Sequence, residues 1–471
     1  MVGEEIQMKK ILAILLTACM LLSMTACGKT EPNDNSQNNN SQNAGTQNEN
    51  QQNEAQGVET AQFWLDKLEN ADKVLLTLEE IEKENALMRQ YWGTDWKSGY
   101  YDVNSFPETV DKAWLQDRID YPHVKDLGLY CKGEKITATQ WQERYKNYNF
   151  NGMPATIQVK YGVIVHPTAG YDFPTNEIHT GSSLDESENL LQQTFYRMNE
   201  PVVVLWESKD KEWYYIVANE FVGWIEAKDC ALFESRTQWT EFQQDKEFLV
   251  VTEDAKLEGI EDTVFMSTKL YLVDENEPHD LIHGDYVVRV PQRGEDGKVH
   301  YTYTAVAKED PVHEGYLPYT IENILTLAFQ EIGDPYGWGG IDGKRDCSIY
   351  IKDIYNCFGF QMPRNSRIQM NIPEMRTKTE GLSVEDREAL LDKTNPGAIL
   401  GISGHVMLYL GEEAGQHYVI SMLGSYIPET VTENFGDHVV STQKVMVNTL
   451  DVRRRNGNTW LQEIISVVDI K

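Results

Sequence analysis

The strongest constraint on the fold lies in the last third of the chain, where a glycine-rich loop separates two helical patterns. Apolar residues recur at helical spacing from Ile321 to Glu331, and Gly333 follows where a C-terminal cap is expected. The loop, 334–340, is too rich in glycine for a helix or a strand. Asp346, a residue type favoured at helix N-caps, then precedes an apolar run that begins at Cys347. The pattern predicts a cysteine in the first turn of a helix.

That position favours a reactive side chain at Cys347. A thiolate, not a thiol, attacks a carbonyl, and the free amides and dipole at a helix N-terminus are expected to stabilise the anion. The alternative is that Cys347 is a small buried apolar residue, which is the more common role of a single cysteine.

A base for this cysteine is predicted after the turn formed by residues 395–397. Residues 398–402 have the pattern of a strand, Ser403-Gly404 form a tight connection, and a second strand begins at His405. A neutral imidazole there can deprotonate Cys347 and later protonate a leaving amine. A single histidine is often structural, so the argument depends on the order of loop, capped helix and strand.

Four motifs together resemble the NlpC family of peptidoglycan cysteine peptidases, and the likeness covers about residues 315–470. They are Tyr336-Gly337-Trp338-Gly339-Gly340, Asp346-Cys347-Ser348, Met362-Pro363-Arg364-Asn365-Ser366, and Gly404-His405-Val406 continued to Gly411. The resemblance implies a papain-like α+β fold and hydrolysis of the bond between γ-D-glutamate and a diamino acid in cell-wall stem peptides. It also implies that Cys347 is the nucleophile and His405 the base, and that Asp346, Ser348 and Ser366 hold the free amine of an N-terminal L-Ala.

Two positions depart from the family pattern. Ile349 stands where many members have glycine after the Asp-Cys-Ser triplet, which a helix tolerates. The polar residue that orients the base, usually a histidine on the next strand, is here expected to be Ser421. His417 is the alternative, but at about 3.3 Å per residue it would lie about 13 Å away along the strand. We therefore expect Ser421 to face His405.

The middle of the chain changes from helical to strand patterns. Apolar residues from 60 to 92 lie near helical spacing and predict one or two amphipathic helices. Two sets of short strands follow, and each resembles a bacterial SH3-like barrel. The predicted strands are Ile157–Val163, Val202–Trp206, Trp213–Val217 and Val222–Ile225 in the first set, and Phe248–Val251, Val264–Met266, Leu270–Val273, Tyr286–Val290 and Tyr301–Val306 in the second. Such barrels bind peptidoglycan or shape access to it, or they only pack against the enzyme.

The amino terminus resembles the signal of a bacterial lipoprotein. Lys9 and Lys10 precede an apolar run, and Met24-Thr25-Ala26-Cys27 resembles a lipobox in which Cys27 is acylated. Cys19 is the weaker candidate because only five apolar residues precede its box. The Asn- and Gln-rich segment that follows predicts a disordered tether. The expected location is therefore outside the cytoplasm, with a lipid anchor in the cell membrane.

Composition limits the partners. The net charge of −32 and the lack of a strongly basic stripe argue against nucleic acid. Six cysteines are too few for a disulfide scaffold, although the spacing leaves a pair between Cys131 and Cys230 open. No metal motif is present, and we expect no cofactor and a monomer.

The predicted organisation is α+β with six segments, and it supports a cysteine endopeptidase acting on the cell wall. The segments are a signal peptide (1–26), a tether (27–59), a helical segment (60–150), two SH3-like barrels (151–235 and 236–310) and an NlpC-like catalytic domain (311–471). The alternative function is a wall-binding lipoprotein that has lost activity. Amidase or acyl-transfer chemistry by the same cysteine and histidine also remains open.

Overall fold

The computed structural model describes residues 57–92, 100–120, 124–183, 188–244, 247–273 and 282–471. The predicted signal peptide, Cys27 and nearly all of the tether lie outside these residues. The chain divides into two compact units, Met1–Lys67 and Leu68–Lys471. Among the described residues, no helix combines the length and the apolar character that crossing a membrane requires.

The described part of the first unit contains helix α1 (Ala61–Leu65). Thr60 is its N-cap, and the Thr60 hydroxyl accepts a hydrogen bond from the Phe63 amide at 3.4 Å. A side-chain acceptor at this position satisfies one of the amides that the first turn of a helix leaves free.

The second unit opens with a mixed segment in which helices predominate. Its elements are α2 (Leu78–Trp92), β1 (Thr109–Asp111), α3 (Lys112–Ile119), β2 (Tyr130–Cys131), β3 (Glu134–Lys135) and α4 (Ala138–Tyr145). Ile81, Asn85 and Met88 form the buried face of α2, at the spacing of an amphipathic helix. The buried Asn85 amide donates to the Gly359 carbonyl at 2.9 Å, so α2 is fixed to the C-terminal part of the chain. Between residues 60 and 92, where one or two helices were predicted, two are present.

The first β-domain follows, and its described residues form nine strands. They are β4 (Thr156–Gln158), β5 (Lys160–Ile164), β6 (Thr168–Tyr171), β7 (His179–Thr180), β8 (Gln192–Tyr196), β9 (Pro201–Glu207), β10 (Trp213–Val217), β11 (Val222–Glu226) and β12 (Cys230–Leu232). Seven of them form one antiparallel sheet in the order β12-β5-β9-β10-β11-β6-β8. Alternate residues of β9 and β10 belong to two different hydrophobic clusters, so both faces of the sheet are buried. The other two strands lie outside this sheet: β4 pairs with β1, and β7 pairs with β2.

The second β-domain begins after helix α5 (Arg236–Gln244) and is less regular. Its strands are β13 (Phe248–Val251), β14 (Lys269–Tyr271), β15 (Tyr286–Arg293), β16 (Val299–Val306) and β17 (Val312–Glu314). β13 is central between β14 and β17, while β15 and β16 form a long hairpin. Because β17 pairs with β13, this domain extends past the predicted boundary at residue 310.

One strand predicted for this domain is wrong. Val264–Met266 forms only an isolated bridge between Val264 and Ala255. The Met266 amide donates to the Asp254 carboxylate at 2.8 Å instead of to a neighbouring strand, and Ser267 then adopts a φ of 71°. A side-chain acceptor and a left-handed residue therefore end the extended segment before it can form a ladder.

The C-terminal domain combines helices with a six-stranded antiparallel sheet, in agreement with the predicted α+β class. Its helices are α6 (Ile321–Gln330), α7 (Cys347–Asn356), α8 (Ser366–Gln369), α9 (Val384–Leu391) and α10 (Trp460–Glu463). Its strands are β18 (Arg376–Lys378), β19 (Ile399–Ile402), β20 (His405–Glu413), β21 (Gln416–Tyr426), β22 (Val440–Thr449) and β23 (Ser466–Val468), in the order β18-β23-β19-β20-β21-β22. α7 packs against β20 and β21.

Buried ion pairs connect α7 to the second β-domain. Arg345, directly before the helix, lies 2.5 Å from Asp254 of that domain, 2.6 Å from Glu331 and 2.9 Å from Asp353 in the middle of α7. The Arg345 side chain is buried, so its charge requires these partners. Through Arg345, the Asp254 carboxylate of the second β-domain is thus linked to Asp353 on the helix that begins with Cys347.

Candidate active site

Cys347 is the first residue of α7 and is half-buried. Asp346 is the N-cap, as predicted, and its Oδ1 accepts hydrogen bonds from the amides of Ser348 at 3.1 Å and Ile349 at 2.9 Å. The Ser348 hydroxyl donates to the same oxygen at 3.1 Å. The cap fixes the direction in which the cysteine side chain leaves the helix.

Arg364 binds this cap through both terminal nitrogens of its guanidinium, and we call the arrangement with Asp346 and Ser348 the Arg364 fork. Its Nη2 lies 2.6 Å from Asp346 Oδ2, and its Nη1 donates to the Ser348 hydroxyl at 2.7 Å. Its Nε donates to the Thr194 hydroxyl of the first β-domain at 3.2 Å. Sequence reasoning gave Arg364 no role, although it lies in the motif 362–366. The available signal was one basic residue, Arg364, which follows two apolar residues and precedes Asn365.

The glycine-rich loop lies between this cap and strand β8 of the first β-domain. The Gly339 amide donates to Asp346 Oδ2 at 3.3 Å, and the Gln192 side chain donates to the Gly339 carbonyl at 3.1 Å. Gly339 and Gly340 have φ values of 62° and 82°. A Cβ at Gly340 would also lie 2.5 Å from the Cβ of Phe195, so the close approach of β8 requires glycine here.

The thiol is harder to ionise than its position alone predicts. Burial and the adjacent Asp346 carboxylate raise the pKa of Cys347 to about 12, although the Val406 amide and the Arg364 guanidinium act in the opposite direction. Burial and Asp346 thus act against the thiolate that the helix N-terminus is expected to favour. The largest cause is burial of the thiol, and the Asp346 carboxylate beside the sulfur adds to it, while the Ser348 amide of the first turn lowers the pKa only in part.

His405 begins β20, as predicted, and its neighbour Val406 contacts the cysteine. The Val406 amide is hydrogen-bonded to the Cys347 sulfur, so the first turn of α7 meets the start of β20. The His405 ring packs edge-on against Trp460, with 5.3 Å between the ring centroids. Burial and the nearby Arg454 lower the pKa of His405 to about 3. The imidazole is therefore neutral at physiological pH.

The structure distinguishes between the two candidates for the residue that orients His405. His405 Nε2 lies 3.1 Å from the hydroxyl oxygen of Ser421, which is fully buried. His417 instead lies 2.9 Å from the Tyr409 hydroxyl through Nδ1, and 4.0 Å from Asp392 through Nε2. The strand register thus brings Ser421 to His405 and directs His417 elsewhere.

The three residues expected to hold a substrate amine lie in different environments. Asp346 and Ser348 are buried in the Arg364 fork. Ser366 is half-buried at the first position of α8, after the N-cap Asn365. Asp346 is therefore close to the thiol, but its charge is already paired.

The other three cysteines of the described residues lie outside this group of residues. Cys357 is buried just after α7, and Cys131 and Cys230 are free thiols on β2 and β12.

One group among the described residues has donor atoms close enough for a metal, namely Cys131, Glu177 and His179, whose donors lie within 4.8 Å of one another. Arg144 and Lys132 pair with the Glu177 carboxylate at 2.7 and 2.9 Å. These cations already balance its charge, and we assign no metal to this group.

A helix that begins with a capped cysteine and packs on an antiparallel sheet, with a histidine at the start of one strand, defines the papain-like α+β class of proteins. Residues 333–466 match the model of the NlpC/P60 family. Residues 189–226 match the model of an SH3 domain of the SH3b1 type. The chain therefore contains an NlpC/P60 domain preceded by an SH3 domain.

Two similar proteins match over more of the chain. A dipeptidyl-peptidase 6 from Lysinibacillus sphaericus is 24% identical over 249 residues, which cover 51% of this chain and 83% of that protein. The solved structure of an NlpC/P60 endopeptidase from Photobacterium damselae subsp. piscicida matches with a TM-score of 0.67 at 15% identity, covering 86% of this chain and 96% of that one. The latter similarity shows a shared fold. The family match and the similarity to the dipeptidyl-peptidase support a peptidase role.

Proposed function

We propose that this protein is a cysteine endopeptidase that cleaves the bond between γ-D-glutamate and the diamino acid of cell-wall stem peptides. The observation that carries the proposal is the meeting of Cys347, on its capped helix, with the start of β20, where a neutral His405 lies against Ser421. The match to the NlpC/P60 family supports peptide hydrolysis, and the resemblance of the motifs suggests the bond.

Because Cys347 and His405 are both neutral, we infer that the thiol proton moves to the imidazole during nucleophilic attack, and that no thiolate forms beforehand. In the proposed tautomer, His405 Nε2–H donates to the Ser421 hydroxyl, and Nδ1 keeps a lone pair for the Cys347 proton. The thiol loses this proton as its sulfur forms a bond to the scissile carbonyl carbon. The imidazolium then gives the proton to the leaving amine, and water hydrolyses the resulting thioester.

The proposed substrate preference is for stem peptides with a free N-terminal L-Ala. It comes from the family positions of Asp346, Ser348 and Ser366. Asp346 would have to accept the ammonium while it is still paired with Arg364, which lies 2.6 Å away. Ser366, which is half-buried, is the more accessible of the two serines.

The proposed location is outside the cytoplasm, with a lipid anchor on Cys27. This proposal rests on the lipobox-like motif and on the polar segment that follows it.

Digestion of defined wall fragments by the purified full-length protein tests the function. Mass spectrometry should show a new amine on the diamino acid, and free stem peptides should be cut faster than intact sacculi. Cys347→Ser should reduce hydrolysis on the order of 1000-fold or more, because a hydroxyl is a far poorer nucleophile in this setting. Cys131→Ser, which changes a half-buried thiol outside the site, is the matched control and should retain activity.

Other outcomes would contradict separate parts of the proposal. Comparable turnover by Cys347→Ser would remove this residue from the mechanism. Equal cleavage of sacculi and free peptides would contradict the preference for a free amine. Labelling of Cys347 by a thiol-directed probe without any cleavage would favour a wall-binding protein or a different acyl acceptor.

A further inference from the structure

A closed ring of buried polar side chains begins and ends on the cysteine helix and passes through the first β-domain. Thr194 on β8 accepts a hydrogen bond from Arg364 Nε at 3.2 Å and donates to Glu220 Oε1 at 3.1 Å. Glu220 Oε2 lies 2.6 Å from the ammonium of Lys352, which is on α7 itself. Arg364 returns to the helix through Asp346 at 2.6 Å. We call these five residues the Thr194 ring.

The members of this ring have little contact with water. Thr194 is fully buried, and each of the other four has at most 8% of its surface exposed. A buried charge needs a hydrogen-bonded partner, so each member depends on the orientation of the next. Thr194 is the neutral member of the ring. Its one hydroxyl accepts a hydrogen bond from the Arg364 guanidinium and donates one to the Glu220 carboxylate.

We propose that Thr194 and Glu220 are positioning residues for Cys347, acting through Arg364. Their hydroxyl and carboxylate, supplied by the first β-domain, fix the plane of the guanidinium that closes the fork on the N-cap of α7. The SH3-type domain is then part of the catalytic apparatus rather than only a packing partner. The inference rests on the proposed role of Cys347 as the nucleophile.

The charges around Cys347 explain how the ring acts on it. The groups that face the sulfur are Asp346 from its own helix, Arg364 from the segment after the helix, Tyr336 from the glycine-rich loop, and the Val406 amide beside His405 on β20. Only Arg364 among the side chains is a cation. If it loses the Thr194 hydroxyl, the guanidinium can turn away from Asp346, and the carboxylate then opposes ionisation of the thiol more strongly.

The test compares Thr194→Val with Thr194→Ser in the full-length protein. Valine keeps the shape of threonine but removes the hydroxyl, whereas serine keeps it. Thr168→Val is the matched control, because Thr168 is also buried in the first β-domain and its hydroxyl donates to Asp229 at 2.7 Å within the same domain. The readouts are kcat and KM on a stem peptide, thermal unfolding, and the rate of iodoacetamide alkylation of Cys347 against pH, followed by peptide mass spectrometry.

Thr194→Val should lower kcat about tenfold with a smaller change in KM, because a reacting group is displaced while most of the binding surface is kept. At each pH below the pKa of Cys347, the rate of alkylation should fall about tenfold, which corresponds to an upward shift of about one pKa unit. Thr194→Ser should stay within about twofold of wild type, since it can restore both hydrogen bonds. Thr168→Val should leave the profile unchanged.

Three results would overturn the inference. They are a wild-type kcat and profile in a folded Thr194→Val protein, an equal defect in Thr194→Ser, or an equal shift in Thr168→Val. Failure of the proposed function is a separate outcome, because hydrolysis that survives Cys347→Ser would refute the nucleophile while the alkylation profile still tests the ring.

Discussion

Replacement of His405 by glutamine should remove a large part of the acid sensitivity of the folded protein. Burial lowers the pKa of His405 from 6.5 to about 3. Below pH 6.5 the unfolded chain therefore binds a proton that the folded protein does not bind until about pH 3. The stability linked to this group is fully present above pH 6.5 and is lost as the pH falls towards 3. Between pH 7.5 and pH 5 the loss amounts to roughly 2 kcal/mol.

Urea unfolding at pH 7.5 and pH 5, at constant ionic strength, measures this loss. Wild type should lose roughly 2 kcal/mol more free energy of unfolding over that range than His405→Gln, in which no imidazole is buried. His438→Gln controls for the removal of one histidine. Solvent reaches this exposed ring in both states, so the variant should show the wild-type loss. Equal losses in wild type and His405→Gln would refute the argument that burial keeps this imidazole neutral.

Two further predictions concern the base and the anchor. Ser421→Ala should lower kcat about tenfold, less than the loss of Cys347 and more than His417→Ala, because Ser421 is the partner of His405 at 3.1 Å. Damage by His417→Ala alone, measured on the same peptide, would make His417 the orienting residue. Cys27→Ala should release the mature protein from membrane fractions, since two acyl chains at about 0.8 kcal/mol per methylene supply the proposed attachment. Retention equal to wild type on a membrane flotation assay would refute the anchor.

The local structure around the site could be predicted because short-range rules govern it. Asp346 caps α7, and β20 begins at His405 after a tight turn. These features depend on residues within a few positions of one another, and capping and turn preferences act over that distance. Ser421 lies against His405 as predicted, because His417, four residues earlier on the same strand, is about 13 Å away along it.

The sequence-based predictions were wrong where a local pattern was changed by burial or by a residue from elsewhere in the chain. Val264–Met266 has the composition of a strand, but Asp254 captures the Met266 amide and the ladder does not form. The position of Cys347 at a helix N-terminus suggested an easily ionised thiol. Burial of the thiol, and then the Asp346 carboxylate that caps the helix, raise the pKa of Cys347 instead.

Sequence patterns were enough to predict most of the elements, the order in which they occur and the side chains able to do chemistry. The charges that surround each of these side chains depend on the tertiary structure. Arg364 meets Thr194 across 170 positions of sequence, and Lys352 meets Glu220 across 132. Burial and the sum of distant charges set how readily a group ionises, and neither is a property of neighbouring residues. For this reason the sequence identified Cys347 and His405, whereas only the folded chain showed that both are neutral and which charges hold them in place.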